Sequence, residues 1–361
     1  MFKKAGFFSA FLIPSITVLG YYGGGWWNLS AIIFIFLIIP ISDAIVGVDT
    51  HNHPETDKAQ ISNEGFYKWI TYSWIPAQFI FLFWAVFQIS KLTDWTSIEF
   101  LSLLIGSGLT TGGIGITVAH ELGHKNNSTE QFLSQLLLMS VCYMHFFIEH
   151  NRGHHVQVAT PEDPATARKG ENFYSFLFRS VVMGWLHAWT LERESLSRKN
   201  LSVLSWKNKM IWYSVLPVIF CFALVLFGRS FQPESSYWAI IIFFAGQSFV
   251  AFTLLELVNY VEHYGITRSK LPDGRYERVN PLHSWNTAYL ISNFFLFQLQ
   301  RHSDHHTYAS KRYQVLDHFD ESPQLPFGYP TMILMALVPP IWFSVMDEKL
   351  DEWRKGLPLS A

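Results

Sequence analysis

Residues 100–127 read FLSLLIGSGLTTGGIGITVAHELGHKNN. The run 100–119 carries no charged side chain. Crossing a bilayer takes roughly 20 mostly apolar residues, so this stretch is long enough to span one. Where it ends, the chain presents His120, Glu121 and His124. Residues four apart on a helix face the same way, so two imidazoles point together at the membrane surface. His-Glu-x-x-His is also the signature of many zinc peptidases.

The rest of the chain extends the membrane reading. Of 361 residues, half are hydrophobic and only 15% are charged, against about 25% in a soluble domain. The net charge of −2 provides no basic field for nucleic acid. Cys142 and Cys221 lie far apart in apolar runs, and no Cys-x-x-Cys occurs. That argues against a disulfide framework, a zinc ribbon or a built-in rubredoxin-type site. Six spans are predicted, at 7–22, 28–46, 69–89, 100–119, 210–228 and 237–261. The first follows Lys3 and Lys4 without a small-x-small cleavage site, as a retained anchor would.

Charge sets the orientation. With a cytoplasmic N-terminus, only Lys91 and Arg229 of the 26 Lys and Arg fall outside, a strong positive-inside pattern that also places the C-terminus in the cytoplasm. Trp26, Trp27, Trp95 and Trp238 then form an outer aromatic belt. The runs 132–148 and 327–345, the latter interrupted by Pro330, Pro339 and Pro340, read as in-plane or re-entrant helices. The expected fold is a single, all-α integral membrane domain. Six transmembrane helices carry a cytoplasmic helical cap built from about 120–209 and 262–361.

Nine of the 15 histidines fall in four motifs. HELGHK holds His120 and His124. EHNRGHH holds His150, His154 and His155. NYVEHYG holds His263. LQRHSDHH holds His302, His305 and His306. Helical spacing groups His150 with His154, and His302 with His305 and His306. One zinc takes four ligands at most, so nine imidazoles suit two metals with open positions. Imidazole binds Fe, Zn, Cu and Ni alike, and spacing alone does not name the metal. His51, His53, His145, His187, His283 and His318 read as ordinary loop or hydrogen-bonding residues.

These motifs resemble those of the integral-membrane non-haem di-iron alkane 1-monooxygenases, in the superfamily of membrane fatty-acid desaturases and hydroxylases. VATPEDPATAR (158–168), DGRYE (273–277), HSWN (283–286) and DAIVGVD (43–49) are similar too. The resemblance covers nearly the whole chain, and NYVEHYG distinguishes it from a desaturase. It implies two irons held by the nine motif histidines, O₂ as co-substrate, and terminal hydroxylation of medium-chain linear alkanes. It also implies a bacterial inner-membrane enzyme. Some relatives carry a fused rubredoxin. DEWRKGLPLSA (351–361) holds no cysteine, so a separate rubredoxin and its NAD(P)H-dependent reductase are expected as electron donors.

Chemistry agrees with that expectation. No acid or base side chain breaks an unactivated methyl C–H bond; a redox metal that activates O₂ is required. Neutral imidazoles leave the metal charge uncompensated, so carboxylates are expected behind the rings: Glu121, Glu149, Asp163, Glu262, Asp304 and Asp317. In this reading Glu121 is a neighbour of the ligands and not a base. An alkane channel is expected along the second and fourth spans, at Phe34, Ile35, Ile38 and Gly112; the glycines there also suit close helix packing. No Gly-x-Gly-x-x-Gly follows a strand, so no bound flavin or nicotinamide is expected. A small acidic carrier would meet Arg152, Arg168, Lys169, Arg275 and Arg278. The alternatives are a xylene-type or fatty-acyl oxygenase, an intramembrane zinc peptidase, and a metal transporter. A transporter usually places its ligands at mid-membrane.

Overall fold

A computed structural model describes residues 2–356; the last five residues of the C-terminal stretch read above lie outside it. Helices dominate. Among the described residues no strand forms, and backbone pairing outside helices is limited to isolated bridges such as Val48 with Tyr289.

Six helical stretches are long and apolar enough to cross a membrane: α1 (Lys3–Gly23), α2 (Gly25–Val46), α3 (Gly65–Ile89), α4 (Ile98–Gly123), α7 (Lys209–Phe231) and α8 (Tyr237–His263). Between α4 and α7 run α5 (Ser128–Met139) and α6 (Phe173–Ser197); α9 (Tyr329–Ala336) and α10 (Pro339–Gly356) follow α8. Each predicted span lies within one of the six and is extended by up to four residues at an end. The extensions continue the backbone hydrogen-bond ladder past the apolar run.

α4 and α8 form the central pair. A Cβ placed on Gly112 meets the Ala251 backbone at 2.6 Å, so close helix approach is one reason glycine stands there. At mid-height Thr111 Oγ1 donates to Gln247 Oε1 at 2.9 Å. The same Gln247 donates to the Ser140 carbonyl at 2.9 Å, and Gln78 of α3 donates to Ser140 Oγ at 2.8 Å. An unpaired buried amide costs about 1–3 kcal/mol, so these bonds pin the Ser140 turn between three spans.

That turn explains the run 132–148. It is not one helix. α5 stops at Met139, the backbone reverses through 140–145 with Cys142 at φ 53°, and a short helix, Phe146–Glu149, returns. The segment dips to the mid-height of α3 and α8 and comes back, as a re-entrant hairpin does. The run 327–345 is likewise two helices, α9 and α10, separated where Pro339 and Pro340 forbid a continuous ladder.

Candidate metal centre

The nine motif histidines lie together at the ends of α4 and α8. They form two groups. His120, His124, His150, His155 and His305 make the first; His154, His263, His302 and His306 make the second. Within each group the ligand nitrogens lie within 4.8 Å of one another.

This partition departs from the expected one. His150 and His154 do not share a group, nor does His305 join His302 and His306. The cause is local. His150–His154 is a π-turn, closed by an i→i+5 bond from the His155 N–H to the His150 carbonyl. Such a turn aligns residues five apart, so His155 and not His154 brings its Nε2 to that of His150, the two rings meeting edge-on. Their Nε2 atoms are 3.1 Å apart. The short helix His302–Thr307 lies between the groups, sending His302 and His306 one way and His305 the other.

Neighbouring Nε2 atoms form near-continuous circuits. In the first group His120–His124, His124–His150, His150–His155 and His155–His305 stand 3.1–3.3 Å apart. In the second, His154–His306, His306–His302 and His302–His263 stand 2.8–3.3 Å apart. A neutral imidazole has one N–H, so these contacts cannot all be hydrogen bonds. Ligands about 2.1 Å from one ion and at right angles lie about 3 Å apart. The donor set therefore fits two metal ions side by side.

Electrostatics point the same way. Burial, and then neighbouring rings, holds His124, His150, His155, His302, His305 and His306 well below the usual imidazole range. They are neutral and ready to ligate. His154 is the exception. Burial opposes its charge, but the Asp163 carboxylate, 2.9 Å from its Nδ1, outweighs that and raises it.

The six expected carboxylates separate by what they touch. Asp163 stands behind His154 and also accepts from Thr166 Oγ1 at 2.6 Å. Glu262 is not behind a ring: its Oε2 is 3.1 Å from His302 Nε2, on the ligand side, while Oε1 accepts from Tyr329 at 2.6 Å. Glu121 pairs with buried Lys125 at 3.0 Å. Glu149 faces His187 at 3.3 Å. Asp304 bonds Lys311, and Asp317 bonds Lys58 and Lys311. Lysines and a second histidine take up these four; only the Glu121–Lys125 pair, four residues apart, follows from helix spacing.

One cavity opens onto both groups. It encloses about 900 Å³ of space with its mouth, and its walls are almost entirely aliphatic and aromatic. His120, His150, His302 and Glu262 close one end; Ile13, Ile35 and Leu109 lie far from it. Leu109 is eleven residues before His120, so the cavity is roughly 16 Å deep at 1.5 Å per residue. Of the expected channel residues, Ile35 and Gly112 line it; Phe34 and Ile38 do not. Phe34 and Ile38, four residues apart, share the opposite face of α2 and line a separate outward cleft, while Phe36 and Ile39 join Ile35 at the cavity.

The expected docking residues all lie on the outer surface of the molecule. Arg152 pairs with Glu192, Lys169 with Asp351, and Arg275 with Asp273; Arg168 and Arg278 are exposed. Sequence reading missed Arg301. It is buried and donates to the carbonyls of Asp49, His51 and Leu316, tying two loops around the His302–Thr307 helix.

Paired histidine cages beneath an apolar cavity define a membrane-embedded metalloenzyme. Residues 95–335 match the fatty acid desaturase family. An alkane 1-monooxygenase 2 of Pseudomonas aeruginosa is 45% identical over 98% of this chain and 94% of its own length. An alkane 1-monooxygenase of Acinetobacter baylyi is 39% identical over 90% of this chain and 77% of its own length. The xylene/toluene monooxygenase hydroxylase component of Pseudomonas putida is 28% identical over 95% and 89%. The chain belongs to the alkane 1-monooxygenase family, and it is a monooxygenase and so an oxidoreductase.

Proposed function

We propose that this protein hydroxylates the terminal carbon of medium-chain linear alkanes, using O₂ and two irons held by the nine histidines. Electrons come from a separate rubredoxin, reduced by its NAD(P)H-dependent reductase. The protein sits in the bacterial inner membrane with both termini and the segments 120–209 and 262–361 on the cytoplasmic side.

The observation that carries this reading is the junction of two imidazole groups with a narrow aliphatic cavity. The irons would supply the activation of O₂ needed to replace a methyl hydrogen with hydroxyl. The chain's own residues do the rest. Ile35, Ile39 and Leu109 hold an extended chain lengthwise and exclude water, leaving its end at His120, His150 and His302. Asp163 fixes the ring of His154. Glu262 places a carboxyl group on the ligand side of the four-ring group, where a bound ion would favour its charged form. The exposed arginines and Lys169 offer positive charge to an acidic carrier, with Arg168 and Arg278 the least engaged.

The test is direct. Purified protein should hold two irons per chain and convert octane to 1-octanol with rubredoxin, its reductase and NAD(P)H. One zinc per chain, or no alkanol with iron in place, overturns the reading.

A further inference from the structure

The segment between α6 and α7 (198–208) carries its apolar side chains on the outside. It is not a loose connection. Asn200, at φ 55°, ends the helix, and the Leu201 N–H returns to the Leu196 carbonyl at 3.0 Å. The Ser205 N–H donates to the Ser202 carbonyl, and the Asn208 N–H to that of Ser205. The fully buried Asn208 side chain donates to the Val203 carbonyl at 2.7 Å. Yet Leu204 is 88% exposed and Trp206 74%. A loop folded this closely, with neither of its largest apolar groups buried, presents them to something apolar outside the chain.

Its neighbours identify that medium. Trp212 Nε1, in the first turn of α7, donates to the Trp206 carbonyl at 2.7 Å. Trp212 heads an exposed stripe of Val215, Ile219, Phe222 and Leu226 at helical spacing. Because α7 is long and apolar enough to span the bilayer, this stripe faces lipid, and the loop stands over its end. Tryptophan concentrates at that depth. α6 exposes Tyr174, Phe178, Val182 and Trp185 along one stripe, the pattern of a helix lying in the membrane interface. Val182 and Trp185 meet Ser214 and Val218 of α7 across one cleft, so the two lipid-facing surfaces are continuous.

Charge adds the chemistry. Arg193, Arg198, Lys199, Lys207 and Lys209 are exposed around the loop, against one exposed carboxylate, Glu194, which pairs with Arg198 at 3.6 Å. Glu192 is buried and accepts from Arg152 and from the Lys209 N–H. Among the described residues, Arg193, Lys199 and Lys207 have no carboxylate partner. Lys207 Nζ lies 5.8 Å from the centre of the Trp206 ring, so cation and indole occupy one spot. We propose that the loop 198–208 is a seat for anionic phospholipid headgroups. Leu204 and Trp206 enter the acyl boundary, and Lys199 and Lys207 meet the negative charge above it. A zwitterionic headgroup offsets its phosphate with its own cation and gains less from the lysines. Through Glu192 the seat is tied to Arg152, in the turn that carries His150 and His154. It does not depend on which substrate the enzyme oxidises.

The test uses the purified, iron-loaded protein in detergent, with dioleoylphosphatidylglycerol and dioleoylphosphatidylcholine added in equal amounts. Native mass spectrometry counts the lipids retained. The unmodified protein should retain the anionic lipid in preference. Lys199→Gln combined with Lys207→Gln should lower that preference about twentyfold, roughly fivefold for each lysine. Lys270→Gln combined with Lys355→Gln, an equal loss of exposed charge elsewhere, should change it by less than about twofold. Leu204→Ser combined with Trp206→Ser should release both lipids alike. All six side chains are exposed, so the fold is kept. Equal retention of the two lipids by the unmodified protein would overturn the proposal. So would a preference lost as far in the control pair as in the loop pair, or lipid retention untouched by the Leu204 and Trp206 changes. A dimer that those two changes abolish would assign the loop to a second copy of the chain and overturn it as well.

Discussion

The two histidine groups differ in burial and in charge. All four rings of the second group are buried, whereas His124 and His155 of the first are half-buried. The second group has Asp163 behind one ring and Glu262 against another. The first consists of imidazoles alone, with Glu121 drawn off by Lys125 and Glu149 by His187. A buried cation is costly unless anions compensate it. The four-ring site is therefore built to retain its ion, and the five-ring site is the nearer to solvent and to an arriving electron.

The sharpest way to break this comparison is to remove a ring. His306→Ala should empty the four-ring site and lower hydroxylation more than a hundredfold, with bound iron falling to about one per chain, because a catalytic metal site missing a ligand loses both ion and geometry. Iron analysis beside product assay checks it. Asp163→Asn should weaken iron binding at that site about 10–100-fold while the five-ring site keeps its ion. A chelator titration followed by Mössbauer spectroscopy would resolve the two, and equal loss from both would erase the distinction between them.

Acid should affect the metal-free protein through the same rings. Burial keeps His124, His150, His155, His302, His305 and His306 far below the imidazole value of 6.5 that the unfolded chain retains. Below that pH the unfolded state binds protons that the folded state refuses, so stability falls as pH falls. The melting temperature of apo protein should drop steadily from pH 7 to pH 5. A flat profile would mean that the rings are open to water.

Substrate length separates the two faces of α2. Ile35→Trp, inside the cavity, should shorten the longest alkane accepted, and Ile38→Trp, on the outward cleft, should not. A product profile across chain lengths decides it. The smallest effect on the metal centre is expected for Glu121→Gln. Its partner is Lys125, so iron affinity should stay within about twofold, while stability drops by about 3–5 kcal/mol as the buried lysine loses its anion.

How much of this was written in the sequence depends on which signal was in play. Hydropathy fixed the six spans, because every stretch long enough to cross lies on a helix that meets the length requirement. Motif spacing brought out all nine rings. It misassigned the channel face at Phe34 and Ile38, because only the fold shows which side of α2 meets the cavity. It misassigned the partners of His150 and His154, because a π-turn inserts a residue into the helical count. No residue type marks such a turn. The carboxylates were equally hidden. Asp163 and Asp304 look alike beside their motifs, yet only the fold shows that Thr166 and His154 hold one and Lys311 the other. Arg301 carried no signal at all beyond a basic residue next to a histidine.

Anomalous scattering at the iron absorption edge tests the central claim most directly. Two peaks per chain are expected, one among His120, His124, His150, His155 and His305 and one among His154, His263, His302 and His306. A single peak, or a peak outside both groups, would contradict it.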